Sequence, residues 1–446
     1  MKNKKPLRKN SSVWHPNTQM KEWQYFDEIS QAKGVWLIDS QGNKMLDAVA
    51  SMWCNVWGHS KKELISAISK QAHKVQHSSM FNLTNEPAEN LADKLVEISP
   101  GMHKVFYSDN GSSAMEITFK MALQYWNNVG EKHKSKIATL ENGYHGDTFG
   151  AMAVGYVPQF FGKFKKQLFS TLQFPVPNKY RTPKGYTDLD YQNYCLEKIE
   201  KALSKDDRVA AFVMESGAQV AGGVVIYPKG FQNKISKICK KYNVLFVLDE
   251  IATGFGRLGS MVQYTEQKSN PDIVAYGKML TGGYLTMAAT LTSKKIYDSF
   301  LGEFNDWKHL FHGHTYTGNP IGAAVSLENL KLYQKTNLIK KIHKTSKVFE
   351  KYYDEISQLD SVGDIRHKGM LMGIELVTDK KKKTPIHPKK SINKIFFEKG
   401  KKNGIYLRTL GNIVMLVPPL AISEKELDLL LNRTILTIKS AQKQVL

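Results

Sequence analysis

The sequence predicts an α/β fold whose large domain carries a mostly parallel sheet covered on both faces. Two observations lead there. From Lys104 onward, apolar runs of strand length alternate with stretches of helical periodicity. The runs at Val209–Glu215 and 244–249 are also nearly continuous, without the apolar–polar alternation of a sheet that has one wet face. A third observation bounds the domain. Past Gly318-Asn-Pro the chain turns helical to about residue 354, and a smaller α+β region follows.

In chain order, residues 34–47 read as a small hairpin closed by Ser40-Gln-Gly-Asn. Helical spacing follows at 61–76 and Glu86–Ile98. Strand 105–108 leads into helix 113–129. Strands are then expected at Lys136–Leu140, Val209–Glu215, 244–249, Ile273–Tyr276 and 287–292, with a helix over 231–242. In the last third, strands are expected at 370–376, 405–409 and Ile413–Leu416. The resulting division is a flexible basic tail (1–12), an N-terminal segment contributing to the small domain (13–60), the large domain (61–325) and a C-terminal small domain (326–446).

Composition narrows the function classes. With 41% hydrophobic and 11% aromatic residues the chain has ample core material, which excludes disorder as its class. Lys+Arg number 63 against 41 Asp+Glu, a net charge of +22. The excess is mostly lysine spread along the chain, densest in Lys2–Lys9 and in Lys380–Lys383 with Lys389 and Lys390. Arginine, the usual reader of base edges, is sparse, and no nucleic-acid motif appears. A solvated lysine-rich surface is therefore expected, with no nucleic-acid partner. No apolar run approaches bilayer length, so no membrane association is expected. Three widely spaced cysteines, Cys54, Cys195 and Cys239, suit a reducing, cytoplasmic setting.

The chemistry concentrates at strand ends. Asp249 closes a buried apolar strand and Lys278 follows another, and in open α/β sheets ligands gather at the carboxyl ends of strands. A carboxylate beside a desolvated amine is what pyridoxal phosphate requires. The amine forms the Schiff base, and the carboxylate keeps the pyridine nitrogen protonated. Taken singly, Asp249 also reads as a turn cap and Lys278 as a surface lysine. Gly111, Ser112 and Ser113 open a helix and present an anion site, or simply a serine N-cap. Tyr144 and His145, in Gly143-Tyr-His-Gly-Asp, reach the same edge, where the tyrosine either stacks on a cofactor or packs in the core. His312-Gly-His lacks a third ligand at a recognisable spacing, so no metal is expected; Thr315 is the better functional candidate there, as a donor to phosphate.

Together these motifs resemble the class III aminotransferases, fold type I enzymes that use pyridoxal phosphate. Asp249-Glu-Ile-Ala-Thr-Gly-Phe-Gly-Arg and the later Gly277-Lys carry the likeness. Met121-Ala-Leu-Gln-Tyr-Trp, Asn142-Gly-Tyr-His-Gly-Asp-Thr-Phe-Gly-Ala, Gly277-Lys-Met-Leu-Thr-Gly-Gly and His312-Gly-His-Thr-Tyr-Thr-Gly-Asn sharpen it. They point to the branch that aminates 8-amino-7-oxononanoate to 7,8-diaminononanoate in biotin biosynthesis. The amino donor there is S-adenosylmethionine or lysine. Another ω-amino acid transaminase, or an aminomutase of the glutamate-1-semialdehyde type, is the competing reading.

The resemblance implies Lys278 as Schiff-base lysine and proton shuttle, and Asp249 as partner of the pyridine nitrogen. Gly111 and Ser112 would hold the phosphate, Thr315 would reach it from the other subunit of a homodimer, and Tyr144 would stack on the ring beside the substrate. Arg408 would grip the substrate carboxylate, a bidentate task that suits a guanidinium better than an ammonium. Trp53 would wall the substrate pocket and Arg257 would influence substrate choice. Three positions depart from the pattern. Asn17 stands for a tyrosine and Met52 for a tryptophan, which removes two aromatic surfaces for a sulfonium donor. Val220 replaces a glycine.

Overall fold

The computed structural model describes residues 8, 9, 11–23 and 25–446. The expected basic tail therefore lies mostly outside the described residues; Arg8–Lys9 pairs antiparallel with Tyr25–Phe26. The chain divides into two compact units. The larger comprises Glu63–Ser346 and Arg366–Gly373, and the smaller comprises Met1–Lys62, Lys347–Ile365 and Ile374–Leu446.

The larger unit is built on a seven-stranded sheet. Its strands are β1 (Lys104–Ser108), β2 (Lys136–Leu140), β3 (Leu172–Phe174), β4 (Val209–Glu215), β5 (Leu245–Asp249), β6 (Ile273–Tyr276) and β7 (Ala288–Thr292). Across the sheet the order is β1-β7-β6-β5-β4-β2-β3. Strands β3, β2, β4, β5 and β6 run parallel; β7 is antiparallel to both its neighbours, which turns β1 back into the common direction. Every residue of β4, β5, β6 and β7 is buried, as their unbroken apolar runs require. The helix Gly111–Asn128 lies on this sheet, with Thr290 Oγ1 donating to the Ala114 carbonyl at 3.0 Å and Trp126 Nε1 to that of Ala210 at 2.8 Å. Strand β3 and the helix Asp188–Leu203, capped by a reciprocal Thr187–Asp190 pair, were not foreseen.

The smaller unit holds a four-stranded sheet in which Ile405–Tyr406 pairs parallel with Lys44–Asp47. Trp36–Asp39 and Ile29–Lys33 continue it antiparallel. The strand expected over 405–409 is divided. Arg408–Leu410 leaves this sheet and pairs antiparallel with Ile413–Leu416 instead. The long helix Glu424–Val445 begins at a Ser423–Glu426 capping box and buries Leu427, Leu430, Leu431, Ile435 and Ile438 along one stripe. No helix among the described residues is long and apolar enough to cross a membrane.

Candidate active site

Five strands sharing one direction bring Ser108, Leu140, Glu215, Asp249 and Tyr276 to a common edge of the larger unit. Close approaches draw the following loops together. A Cβ on Gly111 would lie 3.0 Å from the Ile251 side chain, and one on Gly277 would lie 3.2 Å from it. Ser112, Asp249 and Lys278 therefore flank one packed point.

The loop after β2 fastens this cluster, one residue at a time. Tyr144 N–H donates to Glu215 Oε1 at 3.2 Å, His145 Nδ1 meets Asp249 Oδ2 at 2.8 Å, and Asp147 N–H donates to Ser112 Oγ at 3.2 Å. Between them Gly146 has φ +128°, and a Cβ there would fall 2.1 Å from Ser112 Oγ. Only glycine permits that approach. The N-cap of the helix is Asn110, whose side chain accepts from Ser113 N–H at 3.0 Å, so Ser112 is not spent on capping. Its hydroxyl stands at the helix N-terminus, where amides without intrahelical acceptors favour an anion.

Asp249 and Glu215 are register partners on adjacent parallel strands, so their carboxyls share a face. Both are buried. Asp249 is oriented at each oxygen: Oδ1 accepts from Ile251 N–H at 2.9 Å, and Oδ2 faces His145. Glu215 accepts from Tyr144 N–H and, at 2.9 Å, from Val220 N–H. Burial pushes the Glu215 carboxyl up to about 7; His145 opposes that shift and Asp249 adds to it. His145 and Glu215 escaped the sequence-based assignment of roles. The signal for His145 was its place at the strand edge, but its bond to a residue 104 positions away was not readable locally. Val220 now has an explanation: its φ is outside the left-handed region, so a side chain is tolerated, and its contribution is a backbone donor.

Tyr144 is half-buried, its ring near-parallel to Phe161 (6.3 Å, 19°) and its phenol bonded to Asp147 Oδ1 at 3.1 Å. Burial, then Asp147, hold that phenol well above its ordinary range. Lys278 is half-buried on a 3₁₀ turn directly after β6, at φ 42°. A left-handed lysine is strained, and such strain collects where a side chain must be aimed. Arg257 is 1% exposed; its Nη1 donates to the Met370 carbonyl at 2.9 Å and its carbonyl accepts from Met370 N–H at 2.8 Å. Thr315 is exposed, apart from the bonds that knit the cluster. His312 Nδ1 lies 3.1 Å from Lys120 Nζ, an ammonium where a metal ion would be repelled. No group of three metal-ligating side chains occurs among the described residues.

The smaller unit carries the remaining candidates. Arg408 opens into a cavity of about 500 Å³ that His15, Pro16, Thr18 and Ser51 also line. Asn17 and Met52 are exposed and Trp53 is buried; none of the three is among the lining residues. Ser51 reaches the cavity through a strained turn in which Ala50, Ser51 and Trp53 all have positive φ (47°, 62° and 67°). Buried Asp47 anchors it, accepting from Val49 N–H at 3.2 Å, Ser51 N–H at 2.7 Å and Ser51 Oγ at 3.2 Å, with His59 Nε2 at 3.3 Å.

A phosphate-bearing pyridine fits the larger cluster. The glycine-walled cradle at Ser112 offers the anion site, Asp249 is a fixed buried carboxylate, and Lys278 supplies an amine at the same edge. The sequence pattern of class-III aminotransferases matches residues 19–438, nearly the whole chain. This chain belongs to the class III aminotransferase family. Among relatives, the adenosylmethionine-8-amino-7-oxononanoate aminotransferase of Staphylococcus aureus is 45% identical over 93% of this chain and 92% of its own. The protein of that name from Geobacter sulfurreducens is 41% identical over 94% of each. The crystal structure of the Methanocaldococcus jannaschii protein of the same name superposes with a TM-score of 0.90 at 42% identity, covering 96% of this chain and 97% of that one. An omega transaminase from Pseudomonas jessenii in complex with PMP superposes at 0.92 with 28% identity, over 97% of each chain. The class III aminotransferase thus has the expected fold type I architecture, and its sheet edge is where that family's chemistry is expected.

Proposed function

We propose that this class III aminotransferase uses pyridoxal 5'-phosphate to convert 8-amino-7-oxononanoate to 7,8-diaminononanoate, the biotin-pathway reaction, with S-adenosylmethionine or lysine as donor. The observation that carries this reading is the cavity that Arg408 shares with His15, Pro16 and Thr18. It gives a guanidinium suited to a carboxylate an open space of about 500 Å³, room for a long keto acid. The names of the relatives support the same substrate.

When bound, pyridoxal phosphate supplies an electron sink and carries the amino group from donor to acceptor. The chain's residues do the rest. Gly111 and Ser112 bind the phosphate, with Gly146 keeping the loop close enough for Asp147 to orient the Ser112 hydroxyl. Asp249, fixed at both oxygens, holds a proton on the ring nitrogen. Lys278 anchors the cofactor and moves protons at the reacting carbon. Tyr144 covers one face of the ring and excludes water from it. Arg408 holds the keto acid by its carboxylate, and Trp53, buried in the strained turn that carries Ser51, supports that cavity without lining it.

A homodimer completes the proposal. Phe304, Trp307, Phe311, Tyr316 and Phe81 are each at least 60% exposed on the larger unit, an apolar band that a second copy would cover. Thr315 stands within this band and would reach the partner's phosphate. Three free thiols, two of them buried, suit a cytoplasmic setting.

The test is spectroscopic. The purified protein should take up pyridoxal phosphate and turn yellow, and Lys278→Ala should abolish the lysine-linked colour. A protein that binds no cofactor sinks the proposal. Rapid bleaching by ornithine or 4-aminobutyrate, with no response to adenosylmethionine or lysine, would make the biotin-pathway assignment wrong.

A further inference from the structure

We infer that Asn85 is a positioning residue for cofactor binding. Its side-chain amide ties the loop that presents Thr315 to the start of the helix Glu86–Ile98. The inference rests on the reading that Thr315 reaches the partner's phosphate, and deepens it by naming what holds that hydroxyl in place.

Thr315 is exposed within loop 312–318. The loop closes a turn on itself: Thr317 N–H and Oγ1 donate to the His314 carbonyl at 3.1 and 2.9 Å, and Thr317 Oγ1 accepts from His314 N–H at 3.1 Å. That turn gives the loop its shape but not its place. Residues 77–85 meet it on both sides of Thr315. A Cβ on Gly313 would fall 2.7 Å from Phe81 Cζ, the rings of His77 and Tyr316 stand 5.0 Å apart, and a Cβ on Gly318 would fall 2.7 Å from Met80 Cγ. Contacts of shape leave the loop room to shift, because a cavity of about 260 Å³ lies against it, lined by Phe81, Phe106, Tyr107, His312, Gly313 and Thr317. Asn85 adds direction. Its Nδ2 donates to the Gly318 carbonyl at 3.0 Å, across 233 positions of sequence. The same nitrogen lies 3.4 Å from Ser78 Oγ and 3.7 Å from Met80 Sδ, which draws the facing segment into one knot.

Two bonds together explain an asparagine here. Asn85 is the N-cap of its helix, with Oδ1 accepting from Ala88 N–H at 3.0 Å. Asp or Ser would cap about as well. Among these good caps only Asn accepts with its oxygen and also donates from an amide nitrogen. That nitrogen faces the carbonyl at the end of the Thr315 loop. Gly318 itself turns at φ +65°, a left-handed angle natural to glycine, and leads into the helix Pro320–Thr336 capped by Asn319. Asn85 therefore grips the joint between a rigid helix and the loop that carries Thr315.

The test titrates the full-length apoprotein with pyridoxal 5'-phosphate and with pyridoxal, which has no phosphate, and follows the absorbance of the bound form. Asn85→Asp and Asn85→Ser both keep the cap and remove the donor. Each should lower affinity for pyridoxal 5'-phosphate about three- to tenfold, the effect of one hydrogen bond, and leave affinity for pyridoxal unchanged. On a Thr315→Val background the same substitutions should add less than about twofold, because both changes act through one hydroxyl. Light scattering on the same samples reports whether the variants keep the wild-type mass. If Asn85→Asp fails to fold, Asn85→Ser carries the test. Unchanged affinity in the Asn85 variants, an equal loss for pyridoxal, a full loss added to that of Thr315→Val, or a loss seen only in protein that has dissociated would overturn the role of Asn85. A Thr315→Val protein that binds the phosphorylated cofactor as tightly as wild type would instead overturn the reading of Thr315.

Discussion

At the scale of single residues, the pairing of His145 with Asp249 matters most. In the role proposed for Asp249, a buried carboxylate needs a fixed direction, and His145 meets it at 2.8 Å. Replacing His145 with Ala should leave cofactor bound while slowing both half-reactions about 10- to 100-fold. That is the kinetic equivalent of the roughly 1.5–3 kcal/mol carried by a hydrogen bond to a charged group. Stopped-flow bleaching checks this, and unchanged rates would remove His145 from the machinery. Glu215 makes a separate, pH-dependent contribution. Its carboxyl, like that of Glu250, is raised by burial from 4.5 to about 7. A raised folded-state pKa contributes stability that is complete below about pH 4.5 and is lost as pH rises through about 7. The loss is at most about 3 kcal/mol for each group. Thermal unfolding from pH 5 to 9 should therefore show the wild type losing stability across neutrality, and Glu215→Gln losing less.

At the scale of elements, two turns do the positioning. Gly146→Ala would drive a Cβ into Ser112 at a backbone angle that side chains avoid. Cofactor affinity should fall about tenfold or more, measured by titration of the apoprotein, while the secondary structure is retained. The turn Ala50–Trp53 stores strain of about 1–3 kcal/mol at each of its three left-handed residues, and Asp47 opposes it with three hydrogen bonds. Asp47→Ala should lower unfolding stability by about 3 kcal/mol, because buried donors lose a charged acceptor. It should also raise KM for the keto acid, since Ser51 lines the Arg408 cavity.

These elements also mark how far the sequence was legible. The strands β4, β5 and β6 announced themselves because burial on both faces demands unbroken apolar runs. Asp249 and Lys278 were legible as the residues that end or follow such runs. Strand β3 was not, because three residues at a sheet edge with one buried side chain carry no period. The break at Leu407 was hidden too, since switching from Leu46–Asp47 to Ile413–Leu416 as partner depends on remote pairing. His145 and Glu215 were visible as residues, but the first is placed by a loop contact to Asp249 and the second by strand register with it, both across segments far apart in the chain.

At the scale of the whole molecule, the net charge is +22, whereas the proposed chemistry calls on only a few residues at the sheet edge of the larger unit and on Arg408. Assembly is the larger question, because the proposed homodimer would cover the exposed aromatic side chains around Thr315. Light scattering should give twice the 50.6 kDa chain mass, and Thr315→Val should weaken cofactor binding without dissociating the dimer. A monomer with full cofactor affinity would refute the shared site. The most direct measurement of all is product formation. The cofactor-loaded protein, given 8-amino-7-oxononanoate with adenosylmethionine or lysine, should yield 7,8-diaminononanoate by mass spectrometry, and Lys278→Ala should yield none. No diamine from the wild type with either donor, or equal yield from Lys278→Ala, would contradict the proposed reaction.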